Sequence, residues 1–170
     1  MPMLIKRPIQ DWAQKKRLQF FKEHFRVGSK VLEVGSGSGW LKPELVALGI
    51  DDYIGVDVNP PADIVGNINK WRSLGLSANT FDVIVAFEVV EHVDCFSSCH
   101  ALLKPGGKML ITTPLPQTDW ILKITESFGL NQKRTSPHDY LIDLRTVSIF
   151  PYKQINIIFG LGQWAVLQKG

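Results

Sequence analysis

The chain has 170 residues, of which 45% are hydrophobic and 21% charged, with a formal net charge of +3. This length fits one domain, expected over residues 1–170, and the composition is that of a globular protein rather than a disordered one. No apolar run approaches the ~18 residues of a membrane span, and charges and a proline occupy the place of a signal peptide's apolar segment. The sequence therefore predicts a single cytoplasmic domain.

The basic residues are concentrated at the start of the chain. Residues 1–30 hold eight Lys or Arg against two acids, a balance of +6 that leaves −3 for the remainder. A solvated helix face explains such a charge most simply. A basic arm that contacts nucleic acid or an anionic substrate is the alternative.

The two cysteines do not indicate a metal site. Cys95 and Cys99 are four residues apart, on one face of a helix, and no histidine pair follows at zinc-finger spacing. We therefore expect ordinary, half-buried side chains and no metal.

The first half of the chain reads as strands alternating with helices. An amphipathic helix is predicted over residues 8–25, within a leading segment of residues 1–27, and a strand over 31–34. A glycine-rich turn leads into a short helix over 41–48, and a second strand follows over 53–58. This order is typical of a parallel sheet with covering helices.

The second half adds strands and then a less regular segment. Short or buried strands are predicted over residues 63–65, 83–87 and 109–113, and a closing hairpin over 154–159 and 163–168. Between them we expect helices over 120–128 and 141–147 and a polar loop over 131–137. The fold class predicted is therefore α/β.

The glycine turn has the composition of a ligand-binding loop. Gly35, Gly37 and Gly39 stand at alternate positions after an apolar strand, so the backbone is free of Cβ atoms where a ligand must approach. The turn's amides would face that ligand. Glu33 places a carboxylate beside the same crevice.

The residue after the turn argues against a dinucleotide. A dinucleotide fingerprint ends in a small residue that lets helix and strand pack closely, whereas this chain has Trp40. Asp57 follows the second strand, 22 residues after Gly35, near the ~20 expected of an acid that binds a ribose. A carboxylate can accept from two vicinal hydroxyls at once.

Three motifs together resemble a known family. The segment from Glu33 to Gly39 is similar to motif I of the class I S-adenosylmethionine (SAM) dependent methyltransferases, and FDVIVAFEVVEHV at 81–93 to motif IV of their small-molecule branch. LLKPGG at 102–107 is the third match. The resemblance covers about residues 28–115. It implies a doubly wound, mostly parallel seven-stranded sheet with an antiparallel C-terminal hairpin and helices on both faces.

The resemblance also implies which residues hold SAM. The amino-acid end would lie over the glycines, the ribose on Asp57, and the adenine near Asn67, where the family commonly has an acid. Asn69 competes with Asn67 for the adenine. The full set expected at the cofactor comprises Glu33, Gly35, Ser36, Gly37, Gly39, Asp57, Val58, Asn67, Ile68, Phe87 and Glu88.

The reaction implied is an in-line displacement of a methyl group from a sulfonium. A base is needed only if the acceptor arrives protonated, and the candidates are His92 and His138, with Glu91 and Tyr140 behind them. The family places variable, substrate-covering elements where this chain has residues 114–147. Its leading helix can also help to cover the ligand.

Four functions remain to be compared. The first choice is methyl transfer to a small molecule such as a quinone, lipid or secondary-metabolite precursor. An RNA or protein acceptor is favoured by the basic start, but no NPPY or DPPY signature follows the fourth strand. The others are a non-catalytic SAM-binding module and an NAD-dependent dehydrogenase. The sequence predicts no oligomeric state.

Overall fold

A computed structural model of the chain describes residues 8–116 and 142–170. The described helices are α1 (Pro8–Phe21), α2 (Leu41–Ala47) and α3 (Phe96–Leu102). The described strands are β1 (Val31–Val34), β2 (Tyr53–Asp57), β3 (Ile64–Val65), β4 (Phe81–Phe87), β5 (Leu103–Pro114), β6 (Tyr152–Ile158) and β7 (Gly162–Gln168). Short 3₁₀ turns occupy Lys22–His24, Ile68–Lys70 and Leu144–Thr146.

The seven strands form one sheet in the order β3-β2-β1-β4-β5-β7-β6. The first five in that order are parallel, and β7 runs antiparallel to both β5 and β6. The predicted α/β sheet with an antiparallel C-terminal hairpin is therefore confirmed. Residues 120–140, with their predicted helix and polar loop, lie outside the described part. At 141–147 the described residues form only the single 3₁₀ turn Leu144–Thr146.

Strand alternation sends side chains into two hydrophobic clusters, one on each face of the sheet. Leu32 and Val34 enter the larger cluster, which α3 covers, whereas Val31 enters the smaller one with α1 and α2. Because both faces are covered, the central strands are mostly apolar, as expected of buried parallel strands. Glu33, on the face of Val31, is the one charged side chain in β1.

The leading helix packs on the smaller cluster through aromatic residues at its C-terminal end. Phe21 is fully buried, and its ring stacks on that of Phe87 at 5.3 Å and on that of Trp164 at 6.1 Å. Phe20 packs edge-on against Trp164 at 5.1 Å. The C-terminal half of α1 is thereby fixed beside the carboxyl end of β4.

The order in which the chain adds strands reverses at the centre of the sheet. The chain runs outward from β1 to β2 and β3, then returns to place β4 on the other side of β1. Open α/β sheets bind ligands at the carboxyl ends of the strands at such a point. The glycine loop and the residues after β4 both lie there.

Both cysteines are fully buried rather than half-buried. Cys95 precedes α3 and Cys99 lies within it, and the backbone N–H of Cys99 donates to the carbonyl of Cys95 at 2.9 Å. They are free thiols in the larger cluster. Their role in the described structure is packing.

Candidate functional site

The backbone of the glycine loop shows why glycine is needed at each of its three glycine positions. Gly35, Gly37 and Gly39 have φ of +74°, +50° and +72°, values that other residues rarely adopt. A Cβ on Gly35 would collide with the side chain of Val89, so this glycine is needed for internal packing. A Cβ on Gly39 would meet nothing within 4 Å, and one on Gly37 only a carbonyl at 4.0 Å. The open side of the loop is therefore at Gly37 and Gly39.

Asp57 joins the end of β2 to this loop. The Gly37 N–H donates to Asp57 Oδ2 at 2.9 Å, and the Asn59 N–H donates to Oδ1 at 2.9 Å. Each oxygen retains a lone pair for a further donor. The structure thus brings the predicted ribose acid and the predicted glycine loop into direct contact. The neighbouring Val58 is 64% exposed.

Glu33 is buried beneath the loop. Only 2% of the residue is exposed, and it accepts a hydrogen bond from the Tyr53 hydroxyl. Burial raises the pKa of the Glu33 carboxyl to about 8, the Tyr53 bond opposes this, and the charges of Asp57 and Asp63 add to it. The sequence did not reveal Tyr53, although it stands on the neighbouring strand.

The residues predicted at the adenine have local roles in the described chain. Asn67 Oδ1 accepts from the Asn69 N–H at 2.9 Å and caps the turn Ile68–Lys70, while Ile68 is buried in the larger cluster. Asn69 donates to the carbonyl of Asp94 at 2.9 Å and accepts from Ser98 at 2.7 Å. Both side-chain groups of Asn69 are therefore engaged, and Asn67 remains the better candidate.

Glu88 follows β4 directly and links three elements. Its φ is +56°, its Oε1 accepts from Arg17 Nη2 at 3.0 Å, and the same oxygen accepts from Thr112 Oγ1 at 2.8 Å. Arg17 lies on α1 and Thr112 on β5, so no local pattern in the sequence could have joined them. Arg17 therefore ties the leading helix to the carboxyl edge of the sheet.

Glu91 lies against Glu88 and is only 1% exposed. Its carboxyl accepts from Thr113 Oγ1 at 3.0 Å, and burial, followed by the charge of Glu88, raises its pKa to about 8. A carboxyl buried to this extent is not accessible to an acceptor in this conformation. Glu91 is therefore a weaker base candidate than the sequence suggested.

Of the two histidines proposed as bases, His92 lies within the described residues and His138 does not. His92 is half-buried, just after β4, and its backbone N–H donates to the carbonyl of Val89 at 2.8 Å. His138, like Tyr140, lies outside the described residues. Both assignments stay predictions. Within residues 8–116 and 142–170, no group of three or more His, Cys, Asp or Glu has the arrangement of a metal site.

A sequence profile described as a methyltransferase domain matches residues 6–151. The chain belongs to this family of methyltransferase domains. The resemblance to class I SAM-dependent methyltransferases is thereby confirmed. Trp40 agrees with this outcome: its ring stacks near that of Phe87, at 6.4 Å, in the position where a dinucleotide fingerprint needs a small residue.

Curated relatives carry a more specific name. The chain is 29% identical over 145 residues to the ubiquinone biosynthesis O-methyltransferase of Nitrosococcus oceani, covering 73% of this chain and 61% of that protein. It is 35% identical over 111 residues to the human mitochondrial protein of the same name, covering 51% and 29%. The chain thus spans about three fifths of the first relative and less than a third of the second.

Solved structures share the fold at low sequence identity. A SAM-dependent methyltransferase from Archaeoglobus fulgidus has a TM-score of 0.70 at 18% identity, with 93% of each chain covered. Phosphoethanolamine N-methyltransferase 2 of Haemonchus contortus, in complex with SAM, has a TM-score of 0.63 at 14% identity, covering 92% of this chain and 53% of that one. These likenesses concern the fold.

The residues at the carboxyl edge fit S-adenosylmethionine, the cofactor that the resemblance implies. The open side of Gly37 and Gly39 leaves room that a side chain would fill, and Asp57 supplies acceptors for vicinal hydroxyls. Ser36 Oγ is buried without a hydrogen-bond partner among the described residues, so the loop retains an unused polar group. In the same part of the chain, no helix has the length and apolar character needed to cross a bilayer.

Proposed function

We propose that this domain transfers the methyl group of SAM to an electron-rich atom of a small-molecule acceptor. The observation that carries the proposal is the contact between Gly37 and Asp57, which sets a carboxylate beside an open glycine loop. Together these groups can hold a nucleoside sugar and support an amino-acid tail. Our proposed cofactor-binding set remains Glu33, Gly35, Ser36, Gly37, Gly39, Asp57, Val58, Asn67, Ile68, Phe87 and Glu88.

When bound, SAM supplies a methyl group on a sulfonium, which is already an excellent leaving group. The chain therefore has mainly to align the two reactants and exclude water, and such orientation is worth roughly 7 to 11 kcal/mol. Asp57 would fix the sugar. The Arg17–Glu88 ion pair, at 3.0 Å, would hold α1 against the carboxyl edge where the acceptor arrives.

The names of the relatives favour a hydroxyl acceptor on a quinone precursor. We extend this to quinone, lipid and secondary-metabolite precursors that carry a phenol. Deprotonation of such a hydroxyl calls for a base near neutral pH, a role suited to histidine. We propose His92 or His138 for it. Residues 114–147 are the proposed determinant of acceptor choice.

Titration calorimetry with SAM, S-adenosylhomocysteine and NAD tests the cofactor, and a panel of catechols and phenols tests the acceptor. We expect both sulfur ligands to bind and NAD to give no heat. Formation of S-adenosylhomocysteine with at least one phenol would support the full proposal. Binding of NAD without binding of SAM would refute it, whereas SAM binding without turnover across the panel would favour a non-catalytic module.

An RNA acceptor is the second candidate, because α1 presents exposed basic residues. Lys15, Lys16 and Lys22 are exposed on or just after this helix. Salt-sensitive retention of the protein on immobilised tRNA, combined with methyl transfer to it, would favour this function. Retention without transfer would leave the small-molecule proposal in place. The cytoplasmic location remains a prediction from the sequence.

A further inference from the structure

Arg17 has more hydrogen-bond donors than the described structure uses. A guanidinium carries five N–H donors in a rigid, planar fork. Nη2 donates to Glu88 Oε1 at 3.0 Å, whereas Nε is buried and finds no acceptor among the described residues. A donor that is withdrawn from water without a partner loses free energy that a hydrogen bond would return. The unpaired Nε is therefore a group that a further acceptor would satisfy.

The contacts of Glu88 hold this guanidinium in one place. Glu88 Oε1 accepts from Thr112 Oγ1 at 2.8 Å as well as from Arg17, so β5 fixes the carboxylate from its other side. Glu88 has a φ of +56°, a conformation that costs free energy in a residue other than glycine and that clusters at ligand-binding positions. The pair is not sealed, because the side chains of Arg17 and Glu88 are 22% and 39% exposed. A fixed guanidinium therefore lies at the carboxyl edge, open in part to solvent.

The charges around this ion pair suit an anion. The charges of Arg17 and Glu88 cancel, and Glu91, which lies against Glu88, keeps its proton because burial raises its pKa to about 8. The exposed Lys15 and Lys16 precede Arg17 on α1. Their positive potential raises the local concentration of anions and speeds their arrival. This edge therefore favours an anionic ligand over a cationic one.

Half-buried aromatic rings lie on the same face of the sheet. Phe20, one helical turn after Arg17, packs edge-on against Trp164 at 5.1 Å. Trp164 is paired with Thr112 in the register of β5 and β7, so their side chains project from the same face. Phe20 and Trp164 are only partly buried, and aromatic rings of this kind pack well against another ring. The ion pair thus has neighbours that suit a phenol.

We propose that Arg17 binds an oxyanion of the methyl acceptor, a carboxylate or a phosphoryl group, and so selects acidic phenols over neutral ones. The inference rests on the proposed function and deepens it, because the acceptor then lies at the same carboxyl edge as the methyl donor. Nε and the other N–H groups that Glu88 leaves unused donate to the oxyanion in charge-assisted hydrogen bonds. Glu88 is a positioning residue, which holds the fork in place for the ligand.

Three catechols that differ in one substituent separate the effect of charge from that of the ring. They are 3,4-dihydroxybenzoate, 3,4-dihydroxyphenylphosphonate and the neutral 4-methylcatechol. Titration calorimetry measures their binding to protein saturated with S-adenosylhomocysteine, so the measurement needs no turnover. We expect at least one of the two anions to bind at least about tenfold more tightly than 4-methylcatechol, because hydrogen bonds between charged groups are strong. The anion with the higher affinity identifies the oxyanion.

Two variants assign this preference to Arg17. Arg17→Gln removes the charge, so it should weaken binding of the preferred anion at least about tenfold and that of 4-methylcatechol by less than about twofold. Arg17→Lys keeps the charge but lacks the planar fork, so it should recover only part of the loss. Lys16→Gln is the matched control, because it removes an exposed charge from the preceding position of α1. Urea unfolding of each variant checks that it is folded, and Arg17→Lys carries the test if Arg17→Gln is not.

The outcomes separate this inference from the proposed function. If the wild type binds no S-adenosylhomocysteine, the proposed function fails and the inference with it. If that ligand binds but neither anion is preferred, or if Arg17→Gln weakens all three catechols alike, Arg17 is only a structural tie between α1 and β4. The inference is then wrong, and the proposed function stands. Loss of the preference in Arg17→Gln, with the preference kept in Lys16→Gln, supports the inference.

Discussion

A single carboxylate, Asp57, can hold the glycine loop and accept from a bound ligand at the same time. Its oxygens accept from the backbone amides of Gly37 and Asn59, so the acid is held in place by donors on both sides. Preorganisation of this kind lowers the cost of binding, because the side chain is already ordered. The same contacts couple the glycine loop to β2.

Replacing Asp57 should weaken the cofactor site without unfolding the domain. We expect Asp57→Ala to weaken SAM binding at least about tenfold, since a lost charge-assisted hydrogen bond costs ~1.5 to 3 kcal/mol. Titration calorimetry measures the change. Asp51→Ala is the control, because Asp51 is an exposed acid just before β2, at its other end. Equal affinity in the two variants would remove Asp57 from the site.

At the scale of single residues, the sequence predicted which residues belong to the site better than it predicted why each is needed there. It selected Asp57 from its spacing and Gly35 from its motif, and the structure places both at the carboxyl edge. The reason for Gly35 was only partly anticipated, because Val89 occupies the space of its missing Cβ. That contact joins residues far apart in the chain, which spacing cannot reveal.

The leading helix shows the same division at the scale of elements. Its amphipathic pattern predicted a helix over 8–25, whereas α1 ends at Phe21 and a 3₁₀ turn continues to His24. The amphipathic pattern could not show which residues α1 contacts. Phe21 packs on Phe87 and Trp164, and Arg17 pairs with Glu88, because the fold returns β4 and β7 to the face that α1 covers.

Removing the buried ring should loosen this helix. Phe21→Ala is expected to lower the free energy of unfolding by about 3 to 5 kcal/mol, the usual cost of deleting a buried phenylalanine. Urea denaturation followed by circular dichroism measures it. Phe159→Ala is the matched control, because Phe159 is 83% exposed in the turn between β6 and β7. If both variants unfold alike, α1 does not dock in solution as described.

Two buried acids couple the stability of the whole molecule to pH. Glu33 and Glu91 both have a pKa raised from 4.5 to about 8, chiefly by burial. Between these values the folded chain keeps protons that the unfolded chain releases. Their contribution to stability is therefore fully present below pH 4.5 and is lost as the pH rises toward 8.

Stability should accordingly fall across the neutral range. The free energy of unfolding should decrease from pH 5.5 to 8, each acid contributing a slope that approaches ~1.4 kcal/mol per pH unit. Glu91→Gln keeps the shape but not the ionisation, so its curve should be flatter and its stability at pH 8 higher than that of the wild type. Urea titrations over this range provide the measurement.

The exposed Glu44 of α2 offers a control for the same prediction. Glu44→Gln should leave the slope as it is in the wild type, because this side chain is exposed and the slope is assigned to the two buried acids. A Glu91→Gln slope equal to that of Glu44→Gln would contradict the assignment of the proton to Glu91. In acid, the lowered pKa values of Asp63 and Asp82 act in the opposite sense and remove stability as their carboxylates protonate.

The sequence by itself determined the α/β class from local periodicity, and the glycine loop and its acid from short spacings. The seven-stranded sheet with its antiparallel hairpin followed from the resemblance to a family. The tertiary structure alone decided which distant side chains meet. It buried Glu33 against Tyr53, joined Arg17 to Glu88 and placed Glu91 beside it. Such contacts arise where separate strands end at one edge of the sheet, and their energies come from burial and charge that no single segment contains.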